Sequence, residues 1–143
     1  GGLLAGAPAG QIAALGRFGL DLGFAFQIID DALDYTASAD EFGKAIGKDL
    51  AEGKMTLPLI RTLQNCPAAE RQMIVEIIRD QDRDETSLQV VFSIVQRHDG
   101  IPYALNMAQN YIEAGKNQLE VFSDSSPRRD LMVLADYVVT RKF

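Results

Sequence analysis

Hydrophobic residues recur in steps of three and four along the whole chain, and no segment alternates as a half-buried strand must. That spacing restricts the fold to packed helices. The longest run, Gln11 to about Thr36, is apolar around most of its circumference, which predicts a central helix buried on all sides. Gly16, Gly19 and Gly23 interrupt it, each costing up to ~1 kcal/mol in helix propensity relative to alanine. Such a cost points to close packing or to space for a ligand.

From Ala37 to Met55 the pattern breaks into a loop with one short helical turn, its Gly43, Gly47 and Gly53 spaced among lysines and aspartates. Further helices come after it. Thr56-Leu57-Pro58 opens the next, to about Asn65, and Pro67 opens another, to about Arg79. The run Asp80 to Glu85 reads as a solvated connection. Thr86, with Gln89 three residues on, resembles a capping box for a helix that stops before Gly100. Pro102 begins a long helix to about Phe122, with a stripe of Ala104, Ala108, Tyr111, Gly115, Leu119 and Phe122. Ser126-Pro127 starts the last, with Leu131, Leu134, Ala135 and Val138 facing inward. The expected architecture is an all-α helical bundle forming one domain over residues 1–143.

Composition removes several function classes. The formal net charge is −6 and no basic stripe stands out, which argues against nucleic acid as a partner. No uncharged apolar stretch reaches the roughly 18 residues of an unambiguous membrane span, so no transmembrane segment is expected. No charged segment precedes a cleavable apolar core. The single cysteine, Cys66, suits a reducing cytoplasm and reads as a half-buried residue between two helices. His98, beside Asp99 at a helix end, reads as a surface or capping residue. The opening Gly1-Gly2-Leu3-Leu4 carries no Met and reads as an internal start in a longer chain.

The segment Phe26-Gln27-Ile28-Ile29-Asp30-Asp31-Ala32-Leu33-Asp34-Tyr35 demands a chemical reason. On a helix, Asp30 and Asp34 fall one turn apart on one face, with Gln27 just before them and Asp31 about 100° around. Three carboxylates at a helix C-terminus repel one another and face the negative end of the macrodipole, each effect being roughly a few tenths of a kcal/mol. A cation offsets both. Magnesium fits, because it takes oxygen ligands and commonly binds through one or two carboxylates plus phosphate oxygens. A soft metal does not, with one cysteine and one distant histidine available. The loop beyond adds Lys44, Lys48 and Lys54, with Asp49 among them, as a Mg²⁺–diphosphate complex requires. The plainer reading is an acidic helix end whose lysines form ordinary surface ion pairs, and spacing alone leaves both open.

The same residues resemble a known family. Phe26 to Tyr35 is similar to the second aspartate-rich motif of trans-type polyprenyl diphosphate synthases. Gly43-Lys44, Gly47-Lys48-Asp49-Leu50 and Glu52-Gly53-Lys54-Met55-Thr56-Leu57-Pro58-Leu59 resemble that family's next segment, and Leu134 to Arg141 resembles its C-terminus. The sequence is most similar to the long-chain branch, such as octaprenyl diphosphate synthases. The resemblance implies the C-terminal half of a single polyprenyl synthase domain, part of an isoprenoid synthase fold. The implied reaction is head-to-tail condensation of isopentenyl diphosphate with an allylic prenyl diphosphate, with Mg²⁺ as cofactor and a homodimer as the working form. By position, Asp30 would ligate the metal directly, and Asp31 and Asp34 would bind through water or orient the cluster. Gln27 would lie beside the allylic diphosphate, Phe26 would shield the cation, and Lys44 would contact the diphosphate. Asp49 and Lys54 match positions lining the same pocket. The first aspartate-rich motif and the isopentenyl site would lie upstream of Gly1, so residues 1–143 alone are expected to be inactive.

Three rivals remain at this level. A terpene cyclase would place Glu at the position of Ser38, four beyond Asp34, which favours the synthase. A catalytically silent subunit has no need of repelling carboxylates. A plain helical interaction module has no need of Gln27 or the Gly/Lys loop.

Overall fold

The computed structural model describes residues 1–36 and 48–140. Among them the chain forms seven α-helices, one 3₁₀ turn and no strand, as the spacing predicts. The helices are α1 (Ala9–Leu33), α2 (Lys48–Ala51), α3 (Leu57–Asn65), α4 (Ala68–Arg79), α5 (Glu85–Arg97), α6 (Gly100–Gln118) and α7 (Ser126–Thr140), with the 3₁₀ turn Leu119–Val121 following α6. They divide between two compact units, Asp30–Leu105, and Gly1–Ile29 with Asn106–Phe143.

The unit Asp30–Leu105 is held by Tyr35, Leu50, Leu59, Ile74, Val91, Phe92, Ile94 and Val95, all essentially inaccessible. Cys66 belongs to this core at 4% exposure, so it is more deeply buried than expected. It sits at the C-cap of α3, where its N–H donates to the Thr62 carbonyl. Gly100 permits a very close approach: a Cβ there would stand 2.4 Å from the Pro58 carbonyl oxygen and 2.6 Å from Thr62 Oγ1. The expected cap of α5 is corrected. Asp84, two residues before Thr86, is the N-cap, its carboxylate accepting from the Ser87 backbone N–H and hydroxyl. Those bonds hold Asp84 below the usual carboxylate range, the Ser87 hydroxyl most of all. His98 caps the other end of α5, with Nε2 2.6 Å from Glu70 Oε2.

The other unit corrects the picture of α1. Its buried residues Ala14, Phe18 and Ala25 lie on one stripe, while Leu20, Phe24 and Phe26 are 58%, 47% and 43% exposed. A Cβ at Gly16, Gly19 or Gly23 would meet nothing within 4 Å, so these glycines mark open space rather than close packing. Close packing occurs instead at Gly115 of α6, where a Cβ would lie 3.3 Å from Asp21 Cβ and 3.5 Å from Phe18 Cδ2. Phe24 and Tyr111 face each other with ring centroids 5.3 Å apart. On α7, Ala135 and Val138 are buried as expected, but Leu134 is 47% exposed. By length and composition alone α1 is apolar enough to cross a membrane, with mean hydropathy 1.4 over its best window, although it contains Arg17 and Asp21.

Candidate functional site

The site grows from the end of α1. The helix closes at Leu33, and one further helical bond, Asp34 N–H to the Asp30 carbonyl, carries the register to Asp34. Tyr35 then anchors the chain. Its ring is fully buried and stacks on Phe92 with centroids 6.0 Å apart. Its carbonyl accepts from Gln96 Nε2 at 3.0 Å, and its hydroxyl oxygen accepts from Thr56 Oγ1 at 3.3 Å. Burial pushes the Tyr35 hydroxyl up to about 12, and the charges of Asp34, Asp49 and Asp31 add to the rise. The carboxylate-bearing turn is thereby nailed to the core by its neighbour. Sequence reading passed over Tyr35 because both side-chain partners are far along the chain.

Asp30, Asp31 and Asp34 are each partly exposed. Asp34 has a defined structural role, in which Oδ1 accepts from the Lys48 N–H at 3.2 Å and Oδ2 from the Asp49 N–H at 3.1 Å. Both oxygens thus cap the first turn of α2, where amides lack helical partners and the dipole favours an anion. The aspartate satisfies the helix end and the helix end steadies the aspartate. Phe26 and Gln27 are exposed on the same continuous α1, in the residues assigned to the other unit.

The lysines divide. Lys44 lies outside the described residues, as do Gly43 and Gly47. Lys54 Nζ sits 2.7 Å from Asp49 Oδ1 and 2.8 Å from Glu52 Oε2, bonds that raise the ammonium above its ordinary range and lower Glu52. Asp49 and Lys54 are therefore brought together as a pair. Lys48 is largely exposed and stands 3.8 Å from Glu52. Gly53 ends α2: at φ +75° it takes the left-handed conformation, its N–H bonds the Leu50 carbonyl, and the Lys54 N–H bonds the Asp49 carbonyl. This is a Schellman closure, so its glycine is explained by helix termination rather than by a ligand. Arg83 locks the same turn, donating to the Ala51 carbonyl at 2.8 Å.

The donor set fits a hard cation in a limited sense. Among the described residues, no three His, Cys, Asp or Glu groups converge on a metal position. One or two carboxylates with the remaining oxygens from phosphate is the usual protein share for Mg²⁺, and Asp30 and Asp31 meet that requirement while Asp34 is engaged with α2.

Known proteins resemble this chain in sequence and in fold. A family model described as polyprenyl synthetase matches residues 1–95. The short chain isoprenyl diphosphate synthase of Methanothermobacter thermautotrophicus is 34% identical over 99% of this chain and 43% of its own length. The octaprenyl diphosphate synthase of Haemophilus influenzae is 35% identical over 99% of this chain and 43% of its own length. A crystal structure of a Caulobacter crescentus polyprenyl synthase complexed with calcium and isoprenyl diphosphate superposes with a TM-score of 0.85. It is 32% identical and covers 96% of this chain and 42% of that one. The chain thus spans less than half the length of the relatives it matches. Relatives of different product lengths match it about equally, and the feature common to them is the synthase fold itself. On the family model and the relatives together, the chain belongs to the polyprenyl synthetase family.

Proposed function

We propose that this chain is the C-terminal half of a single polyprenyl synthase domain that elongates an allylic diphosphate with isopentenyl diphosphate in isoprenoid biosynthesis. The observation that carries the reading is the end of α1: two partly exposed carboxylates, Asp30 and Asp31, beside a third that is fixed by α2. Magnesium, when bound, would supply electrostatic stabilisation of the departing diphosphate oxygens. Asp30 would hold it directly, Asp31 through water or by orienting the cluster, and Asp34 would act as the rigid brace its two backbone bonds make it. Lys44 would meet the diphosphate, Gln27 would lie beside it, and Phe26 would shield the allylic cation from water. Asp49 and Lys54, as a neutralising pair, would shape the rim of the pocket. The Caulobacter relative, crystallised with a divalent ion and an isoprenyl diphosphate, supports the ligand class.

Ionisation of an allylic diphosphate builds charge on all the leaving oxygens and needs stabilisation from several sides. Residues 1–143 hold one run with the Asp-Asp-x-x-Asp spacing, so on their own they should not elongate. The working form we assign is a cytoplasmic homodimer making a long-chain, octaprenyl-like product. The product class rests on the sequence's resemblance to the long-chain branch alone, because the octaprenyl relative at 35% identity and the short-chain relative at 34% do not separate. A chimaera tests the assignment: this chain replaces the matched portion of the Haemophilus enzyme. Elongation is expected, and Asp30→Ala should lower turnover at least about a hundredfold. A folded, active chimaera indifferent to Asp30→Ala would remove the carboxylates from the mechanism.

A further inference from the structure

Where α6 gives way to the 3₁₀ turn and the chain re-enters a helix at Ser126, the corner borders a half-open cavity of about 280 Å³. Its walls include Leu15, Leu119, Phe122 and Leu131, and its polar side is made by Ser125 and Arg128. Nothing in the proposed condensation uses this place.

Arg128 is the unusual member. One of its terminal nitrogens, Nη1, donates to the Phe122 carbonyl at 3.0 Å. Its Nε is buried and has no hydrogen-bond partner among the described residues. A buried donor left unmatched is costly, and more so when the group is charged. The nearby acid does not relieve it, because Asp124 pairs with Arg129 at 3.3 Å. Arg128 also sits in the first turn of the fifteen-residue α7, where the helix dipole favours an anion. A cation that lines the cavity, set against an aliphatic and aromatic wall, selects for a molecule with an anionic head and a hydrocarbon tail. The volume is close to the low end of small-molecule pockets, about 300 Å³, which suits a single short chain.

We infer that this cavity is a binding site for a single-chain amphiphilic anion, its phosphate or carboxylate head on Arg128 and its tail among Leu15, Leu119 and Leu131. The head group could belong to an alkyl phosphate or to an isoprenoid diphosphate, which share the chemistry. The test is ¹³C-methyl NMR on the intact chain, titrated with decyl phosphate, geranyl diphosphate or decanol. EDTA is present throughout, so that no divalent ion can hold a head group at Asp30. Both anions are expected to shift the Leu15, Leu119 and Leu131 methyls and to bind about tenfold or more tightly than decanol. Arg128→Gln should lose that preference, and Asp30→Ala should leave it unchanged. The tighter of the two anions identifies the source. Equal binding of decanol, shifts confined to other leucines, or no shift with either anion would each overturn the site. The wild-type methyl map decides the matter even if Arg128→Gln fails to fold. Neither result depends on prenyl elongation, so failure here and failure of the synthase assignment are distinguishable.

Discussion

Gly100 opens α6 where two backbone segments nearly touch. A methyl group there would stand 2.4 Å from the Pro58 oxygen, 2.6 Å from Thr62 Oγ1 and 3.1 Å from the Pro58 carbonyl carbon. Ordinary carbon–oxygen contact is about 3.4 Å, so Gly100→Ala demands that α3 and α6 separate by roughly 1 Å. Overpacking of this kind costs about 1–3 kcal/mol. Breaking the buried Thr62 hydroxyl bond to the Pro58 carbonyl, now 2.9 Å, would add about 1 kcal/mol. Better helix propensity returns at most ~1 kcal/mol, so the net loss should be about 1–3 kcal/mol. Thermal unfolding should fall by roughly 3–10 °C. Gly23→Ala is the matched control: nothing lies within 4 Å, so the same substitution should raise stability by about 0.5–1 kcal/mol. If Gly100→Ala melted at or above the wild type, or both variants moved together, the contact argument would be wrong.

Asp34→Ala should cost about 0.5–2 kcal/mol through loss of the α2 cap, and the amides of Lys48 and Asp49 should exchange faster with solvent. Unchanged exchange at those two amides would mean that the cap is not made in solution. Tyr35 gives a pH signature. Its hydroxyl is held protonated to about 12 in the folded chain, against about 10 when unfolded, so its contribution is intact below pH ~10 and lost as pH rises towards 12. The loss should reach about 2–3 kcal/mol, measured as denaturant stability from about pH 9 to 12. Tyr35→Phe, though less stable at neutral pH by about 1 kcal/mol, should show a shallower decline over that window, and parallel declines would refute it.

The helices were readable from the sequence because period and breakers are local. Pro58, Pro67 and Pro127 fall at the starts of α3, α4 and α7. The acidic run before α5 is the exposed connection its composition suggests, but the cap differs from expectation, since Asp84 and Thr86 are both competent caps and only the fold chooses between them. Burial of α1 was overestimated for a different reason: apolar composition reports what a face would prefer, not what covers it. Leu20 and Phe26 remain exposed, and the glycines beside them adjoin open space. Within the site, the carboxylates announced themselves by spacing, but their division of labour did not. Asp34 is chemically suited both to a metal and to a helix cap, and only the approach of Lys48 and Asp49 gives it the second role.

If the end of α1 holds diphosphate through magnesium, residues 1–143 should bind the bare anion. Isothermal titration of inorganic diphosphate measures this with no hydrocarbon tail to engage any other pocket. Binding should require magnesium, vanish in EDTA and weaken by about tenfold in Asp30→Ala, with helicity unchanged. Equal binding with and without magnesium, or in Asp30→Ala and its parent, would contradict it.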